Sequence, residues 1–355
     1  MLPDVPRPVA FYVHHHGSGH ATRTRLLCER WPDDSPLHVF TSAPERFAGW
    51  GRATVHALPP DVVCTRDPAQ DMLVGQVLHY APVDLPPLQQ RMALMAGWIA
   101  EQRPSLLIVD LAVEVALFVR LCGVRVALVR LHGHRDDPAH VAAFQLADRL
   151  IAPFPPALED AHTPAWVRDK TVYLGAFSRY DDREETRGRC RQQLGLNERQ
   201  KVVTVVNGAG GGARVQQLCE AAAQAAPEWT FLLVGELEAP TRTVDNLRAV
   251  GRVADTYPYL KAADVVIGSG GTNTMMEVGA ARVPFLSVPE ERPFGEQACK
   301  MRALESLGLT RVLAGPLEGI DWVGVLEGAL GMDVGGWEKI FSTSGTGYAL
   351  ACLVE

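Results

Sequence analysis

Apolar residues recur along this chain in two rhythms. Short β-branched runs bounded by glycine or polar residues predict strands, and apolar residues three and four apart predict helices. A first series of runs lies at residues 9–13, 37–41, 53–58, 105–109, 124–129, 149–152 and 171–175. A second lies at 201–206, 229–234, 247–251 and 264–267. Helical stripes follow several of them: Leu26 and Leu27 after the first, Val215, Leu218 and Ala222 after 201–206, and Met275, Val278 and Ala281 after 264–267. Leu88, Met92, Met95 and Ile99 mark another helix within the long stretch 61–103. Strand alternating with helix predicts an α/β chain of two Rossmann-like halves, each with a parallel sheet. Residues 178–199 are highly charged and read as a linker with an exposed helix.

Three strand-to-helix joins are glycine turns. The one around which the chain is organised is Ile267-Gly268-Ser269-Gly270-Gly271-Thr272-Asn273. Glycine lets the backbone approach a ligand, and the helix N-terminus offers free N–H groups and a positive dipole end, which together suit phosphate. Thr272 or Asn273 is the expected cap. Glu277 lies too far into the helix to cap it alone; it either accepts from a ribose diol or closes a capping box with Thr274. The second turn is His14-His15-His16-Gly17-Ser18-Gly19-His20-Ala21-Thr22-Arg23. Adjacent histidines on extended chain point to opposite faces and make a poor chelate, so no metal is expected. His20 at the helix start is either a general base, kept neutral by the dipole, or a cap. Arg23 reaches a phosphate or is solvated. The third turn, Asn207-Gly208-Ala209-Gly210-Gly211-Gly212, is a ligand loop or a flexible connection.

Asp110 ends the run 106–109. Ligands of open parallel sheets gather at the carboxyl ends of strands, so Asp110 belongs to the same edge as His20. It orients the imidazole, acts as base itself, or caps a helix starting near Ala112; Glu114 is a weaker candidate for the same work. Arg130-Leu131-His132-Gly133-His134-Arg135-Asp136-Asp137-Pro138-Ala139-His140 is dense in charge for a plain loop. His132 and Arg135 are the chosen ligand contacts there, while Asp136-Asp137-Pro138 also makes a helix start.

At 355 residues and 47% hydrophobic content the chain can build two cores. Net charge is -7 without a basic block, which argues against nucleic acid. The seven cysteines are odd in number and form no CxxC pair, which suits a reducing compartment. With no leader pattern and no apolar run of about 18 residues, a cytoplasmic protein without a transmembrane segment is expected. Peripheral membrane contact stays open.

The Ser269 turn continues through Pro284-Phe285-Leu286-Ser287-Val288-Pro289 and Phe294-Gly295-Glu296-Gln297. Together these resemble the donor half of GT-B nucleotide-sugar glycosyltransferases, family 28 above all. The resemblance implies two Rossmann-like domains facing across a cleft: an acceptor domain at 1–178, a linker at 179–200, a nucleotide-sugar domain at 201–335, and a tail at 336–355 packing back on the first. It implies a donor site of Gly19, Asn207, Gly210, Gly211, Arg252, Val253, Ser269, Gly270, Gly271, Thr272, Asn273, Glu277, Glu296 and Gln297. Arg252-Val253 would pair with the base by backbone, and Glu296-Gln297 would meet sugar hydroxyls. His20 and Asp110 would be catalytic, and Arg23, His132 and Arg135 would meet the acceptor. The helix 88–99 either packs on the sheet or serves as an acceptor lid. The implied reaction is inverting transfer from a nucleotide-sugar, expected to be a UDP-sugar, to a small-molecule or lipid-linked acceptor, with no metal or cofactor. The alternative is a GT-B-fold nucleotide-sugar hydrolase or 2-epimerase, since the Gly-x-Gly-His-x-x-Arg loop occurs there too.

Overall fold

A computed structural model describes residues 6–15, 17–61, 77–208, 213–236, 244–313, 315, 319–341 and 343–354. His16, Gly210 and Gly211 lie outside these residues, as does the side chain of Asn207. The chain divides into two compact units. The first comprises 1–155, 161–175 and 344–355, and the second 156–160 and 176–343.

The first unit is built on seven parallel strands: β1 (Val9–Val13), β2 (Leu37–Thr41), β3 (Thr54–Ala57), β4 (Leu106–Asp110), β5 (Val126–Val129), β6 (Arg149–Ala152) and β7 (Thr171–Tyr173). Their order is β3-β2-β1-β4-β5-β6-β7. β1, β4 and β5 are buried at every position, as their uninterrupted apolar runs require of parallel strands covered by helices. The core joins Tyr12, Leu107 and Leu128 to Met95 and Ile99, so the apolar helix Pro86–Gln102 packs on the sheet. That helix also buries Arg91, which meets Asp61 at 3.0 Å and donates to the Tyr12 hydroxyl at 2.5 Å. In the last helix, Thr343–Val354, the Thr346 hydroxyl donates to Leu174 O at 2.8 Å.

The second unit holds six parallel strands: β8 (Lys201–Asn207), β9 (Trp229–Gly235), β10 (Leu247–Gly251), β11 (Val265–Ser269), β12 (Phe285–Val288) and β13 (Arg311–Val312). Their order, β10-β9-β8-β11-β12-β13, repeats the pattern of the first sheet. The helices Ala213–Ala225 and Trp322–Leu330 bury Val215, Leu218, Trp322 and Leu326 against it. β12 and β13 are short and carry no alternating pattern; pairing of β12 with β11 and of β13 with β12 makes them strands. The segment expected to be a linker is part of this unit. Its helix Arg187–Gln193 buries Arg191, whose guanidinium donates to Ala262 O at 2.9 Å and Asp264 Oδ2 at 2.7 Å.

In each sheet the strand order reverses once, between β1 and β4 and between β8 and β11. Doubly wound sheets hold ligands at the carboxyl ends of the strands flanking such a reversal. His20 follows β1 and Asp110 closes β4; the Ser269 turn follows β11.

Candidate functional site

In the first unit the helix Gly19–Glu29 begins directly after the β1 turn and puts His20 in its first turn. His20 Nδ1 lies 2.8 Å from Asp110 Oδ2, and Arg23 Nη2 donates to Asp110 Oδ1 at 2.5 Å. Arg23 Nη2 also lies 3.1 Å from His20 Nδ1, but a guanidinium only donates. The carboxylate between them therefore accepts from both. Nδ1 therefore carries a proton directed at Asp110, and in a neutral imidazole that leaves the lone pair on Nε2. Burial alone would raise the Asp110 pKa; Arg23 and His20, by charge and hydrogen bond, instead hold it well below the usual carboxylate range. Beyond Asp110 the backbone is strained. Leu111 takes φ +66° while Ala112 N donates back to Asp110 O at 2.9 Å, a tight three-residue turn. The helix that follows is capped at Ala112 without a side-chain bond, so Asp110 orients the imidazole and does not cap.

The acceptor candidates of this unit have partners in the protein. Arg23, expected at the acceptor, is buried with its Nη2 on Asp110. His132 is 2% exposed with its ring 4.0 Å from Phe154, and Arg135 donates to Leu131 O and His132 O, bracing its own loop. Glu114 likewise accepts from the His79 and Tyr80 backbone N–H groups.

Among the described residues, His79, Asp137 and His140 form one group whose potential ligand atoms lie within 4.8 Å of one another. Asp137 caps the helix Pro138–Leu146 through His140 N, as Asp136-Asp137-Pro138 foretold, and its carboxylate meets His79 Nε2 at 2.8 Å and His140 Nδ1 at 2.5 Å. Arg135 Nη1 donates to His140 Nε2 at 2.9 Å. His140 thus carries its proton on Nδ1, toward Asp137, where a metal would have to bind. The geometry fits a capped, hydrogen-bonded corner better than a chelate.

In the second unit, β11 ends in the Ser269–Thr272 turn, and the helix Thr272–Ala281 starts with Gly271 as its cap residue and no side-chain cap. Neither Thr272 nor Asn273 caps the helix, so its first N–H groups are not taken by a capping side chain. The helix Glu296–Ser306 supports the turn from beneath. Gln297 Oε1 accepts from Gly270 N at 3.0 Å and from Glu290 N at 2.9 Å. A Cβ on Gly270 would come 2.9 Å from Met301 Cγ and 3.1 Å from Gln297 Cβ, so close packing requires glycine there. Gln297, expected on the sugar, also holds the turn through its carbonyl. Lys300, unread in the sequence, is fully buried and donates to Thr272 Oγ1 at 2.7 Å and to Glu296 Oε1 at 3.2 Å. Its spacing four residues after Glu296 was the available signal.

Glu277 forms no capping box. Its carboxylate accepts from Arg179 Nε at 2.9 Å and from the Thr256 hydroxyl at 3.2 Å. Burial pushes its pKa up, opposed by Arg179. Arg179 and Thr256 lie far away in sequence and gave no local sign. Arg252 is exposed and Gly251 before it takes φ +78° at the end of β10.

Residues 238–315, which span this turn, match the glycosyltransferase family 28 C-terminal domain. The chain has the GT-B fold and is family 28-like. This family 28-like chain is 28% identical over 197 residues to an uncharacterized glycosyltransferase of Methanosarcina acetivorans, covering 52% of the chain and 49% of the relative. It is 27% identical over 146 residues to the UDP-N-acetylglucosamine--N-acetylmuramyl-(pentapeptide) pyrophosphoryl-undecaprenol N-acetylglucosamine transferase of Clavibacter sepedonicus, covering 40% of each. The chain spans about half the length of the curated relatives it matches first. Two solved structures share its fold: Acinetobacter baumannii MurG (TM-score 0.67, 13% identity, 98% of this chain and 99% of that one) and a Polygonum tinctorium UDP-glucosyltransferase (TM-score 0.70, 17% identity, 99% and 98%). Among the described residues, no helix is long and apolar enough to cross a membrane.

Proposed function

We propose that the chain is a nucleotide-sugar glycosyltransferase that inverts configuration at the anomeric carbon and needs no metal. The observation that carries this reading is the Ser269–Thr272 turn, braced by Gln297 and Lys300 within the region that matches family 28. The N–H groups at the start of the helix Thr272–Ala281 stabilise the leaving diphosphate by hydrogen bonds and dipole. Glu277 accepts from the ribose. UDP is the proposed nucleotide, because the named relatives and fold neighbours include enzymes of UDP-sugars. His20 is the proposed base. Its Nε2 takes the proton of the acceptor hydroxyl while Asp110 steadies the imidazolium that forms. The hydroxyl oxygen bonds to the anomeric carbon as the bond to the diphosphate breaks on the opposite face.

The test is a thermal-shift panel of UDP, dTDP, GDP, ADP and their sugars with EDTA present, followed by turnover assays. A ligand that binds the folded state raises its melting temperature by mass action. A selective shift with UDP and its sugars, and activity that persists in EDTA, are expected. No shift with any nucleotide overturns the donor site. Inhibition by EDTA that Mg²⁺ reverses overturns the metal-free reaction. Nucleotide release from the sugar donor without any acceptor overturns transfer in favour of hydrolysis or epimerisation.

A further inference from the structure

Lys300 is a buried ammonium directly beneath the proposed phosphate turn. Its side chain is 0% exposed, against 21% for Glu296, its carboxylate neighbour one helical turn earlier. Burying a lysine costs several kcal/mol unless its donors are satisfied, and an apolar residue would fill the same space at less cost. Sequence position alone does not require a cation there.

An ammonium has donors and no acceptor. Thr272 Oγ1, 2.7 Å from Nζ, must therefore accept from it. The threonine's own O–H is then directed away from Lys300. Thr272 opens the helix, at the end that carries its first N–H groups, and its hydroxyl makes no capping bond. Glu296 Oε1 likewise accepts from Nζ at 3.2 Å, so that carboxylate is kept as an acceptor. One buried side chain thereby sets the polarity of two groups. Thr272 becomes a donor and Glu296 an acceptor.

We propose that Lys300 is a positioning residue that fixes Thr272 as a hydroxyl donor to the donor's diphosphate. This deepens the donor-site reading above and rests on it. Lys300 does not touch the substrate; it acts through Thr272. Gln297 on the same helix fixes the backbone of the turn, and Lys300 fixes the direction of its side-chain hydrogen bonds.

The experiment measures UDP affinity by calorimetry and uridine affinity by ligand-observed NMR on the full chain. The proteins are wild type, Lys300→Met, Thr272→Val, the double variant and Thr272→Ser, with melting curves as the folding control. Uridine lacks the phosphates and so reports damage unrelated to the hydroxyl. Lys300→Met and Thr272→Val should each weaken UDP about tenfold, the worth of one charge-assisted hydrogen bond, and leave uridine unchanged. Thr272→Ser should keep wild-type affinity. Because Lys300 acts through Thr272, the double variant should be no weaker than either single one. Should Lys300→Met not fold, the comparison of Thr272→Val with Thr272→Ser carries the test, with the same expected tenfold loss for valine and none for serine. Equal loss of uridine and UDP, additive losses in the double variant, or a Thr272→Val protein that binds UDP normally each overturns the assignment. A wild-type protein that binds no UDP overturns the donor-site reading itself.

Discussion

Asp110→Asn tests the centre of the first unit with little change of shape. Asp110 Oδ1 accepts from Arg23 at 2.5 Å and Oδ2 faces His20 Nδ1 at 2.8 Å, with 5% of the side chain exposed. An asparagine keeps one acceptor and turns the other oxygen into a donor. Arg23 only donates, so the amide carbonyl must face it. The NH₂ then faces His20 Nδ1, which becomes the acceptor, and the ring proton moves to Nε2. The imidazole is then held in the tautomer that cannot take a proton from an alcohol. Turnover should fall about 10²–10⁴-fold, the usual worth of a positioned base. Stability should fall as well. Arg23 exchanges a charge-assisted bond for a neutral one and stays buried without its counter-charge. The first effect costs about 1–2 kcal/mol, and the second brings the total to about 2–4 kcal/mol. Urea denaturation reads the stability, steady-state kinetics the turnover, and calorimetry the UDP affinity, which should not change. A variant with wild-type turnover and stability would show that the Arg23–Asp110–His20 group neither sets the tautomer nor bears a buried charge.

Glu277→Gln should weaken UDP by about 1.5–3 kcal/mol, the value of a charge-assisted bond, and an unchanged dissociation constant in calorimetry would remove Glu277 from the ribose. Stability should decline on acidification in two stages. His140 is held neutral down to about 4 by burial, against its Asp137 hydrogen bond and beside Arg135 and His79, whereas an unfolded chain takes the proton near 6.5. Its contribution is full above pH 6.5 and drains away by about pH 4, up to about 3 kcal/mol, and His140→Phe should flatten that part of a denaturation-versus-pH curve. Asp110, its pKa depressed, adds a second decline below the ordinary carboxylate range, which Asp110→Asn should remove. Gly279→Ala would set a methyl 2.5 Å from Trp337 Cε3 and 2.6 Å from Phe341 Cε2, and should cost about 1–3 kcal/mol in chemical denaturation; a neutral result would mean that the two rings move aside freely. Among the described residues Ser287 Oγ is buried without a hydrogen-bond partner, so Ser287→Ala should hold or raise the melting temperature, and a clear loss would reveal a partner for it.

Local chemistry by itself determined much of this protein. Uninterrupted β-branched runs such as Val265–Ile267 can only be buried parallel strands, and their alternation with helices dictated two doubly wound sheets. The glycine turns after β1 and β11 were legible because only a strand feeding a helix tightly needs that composition. His20 and Asp110 were legible as a pair because one opens the helix after β1 and the other closes β4, at the same carboxyl edge. Tertiary structure alone decided the partners. Nothing local says that Arg23 turns inward to Asp110, that Arg179 and Thr256 converge on Glu277, or that Lys300 lies beneath Thr272. Each joins elements from 21 to 98 residues apart in the chain. The identity of a buried charge's partner depends on which strands become neighbours. A parallel sheet assigns its neighbours through crossovers, so a polar residue's sequence surroundings carry no record of what it will meet.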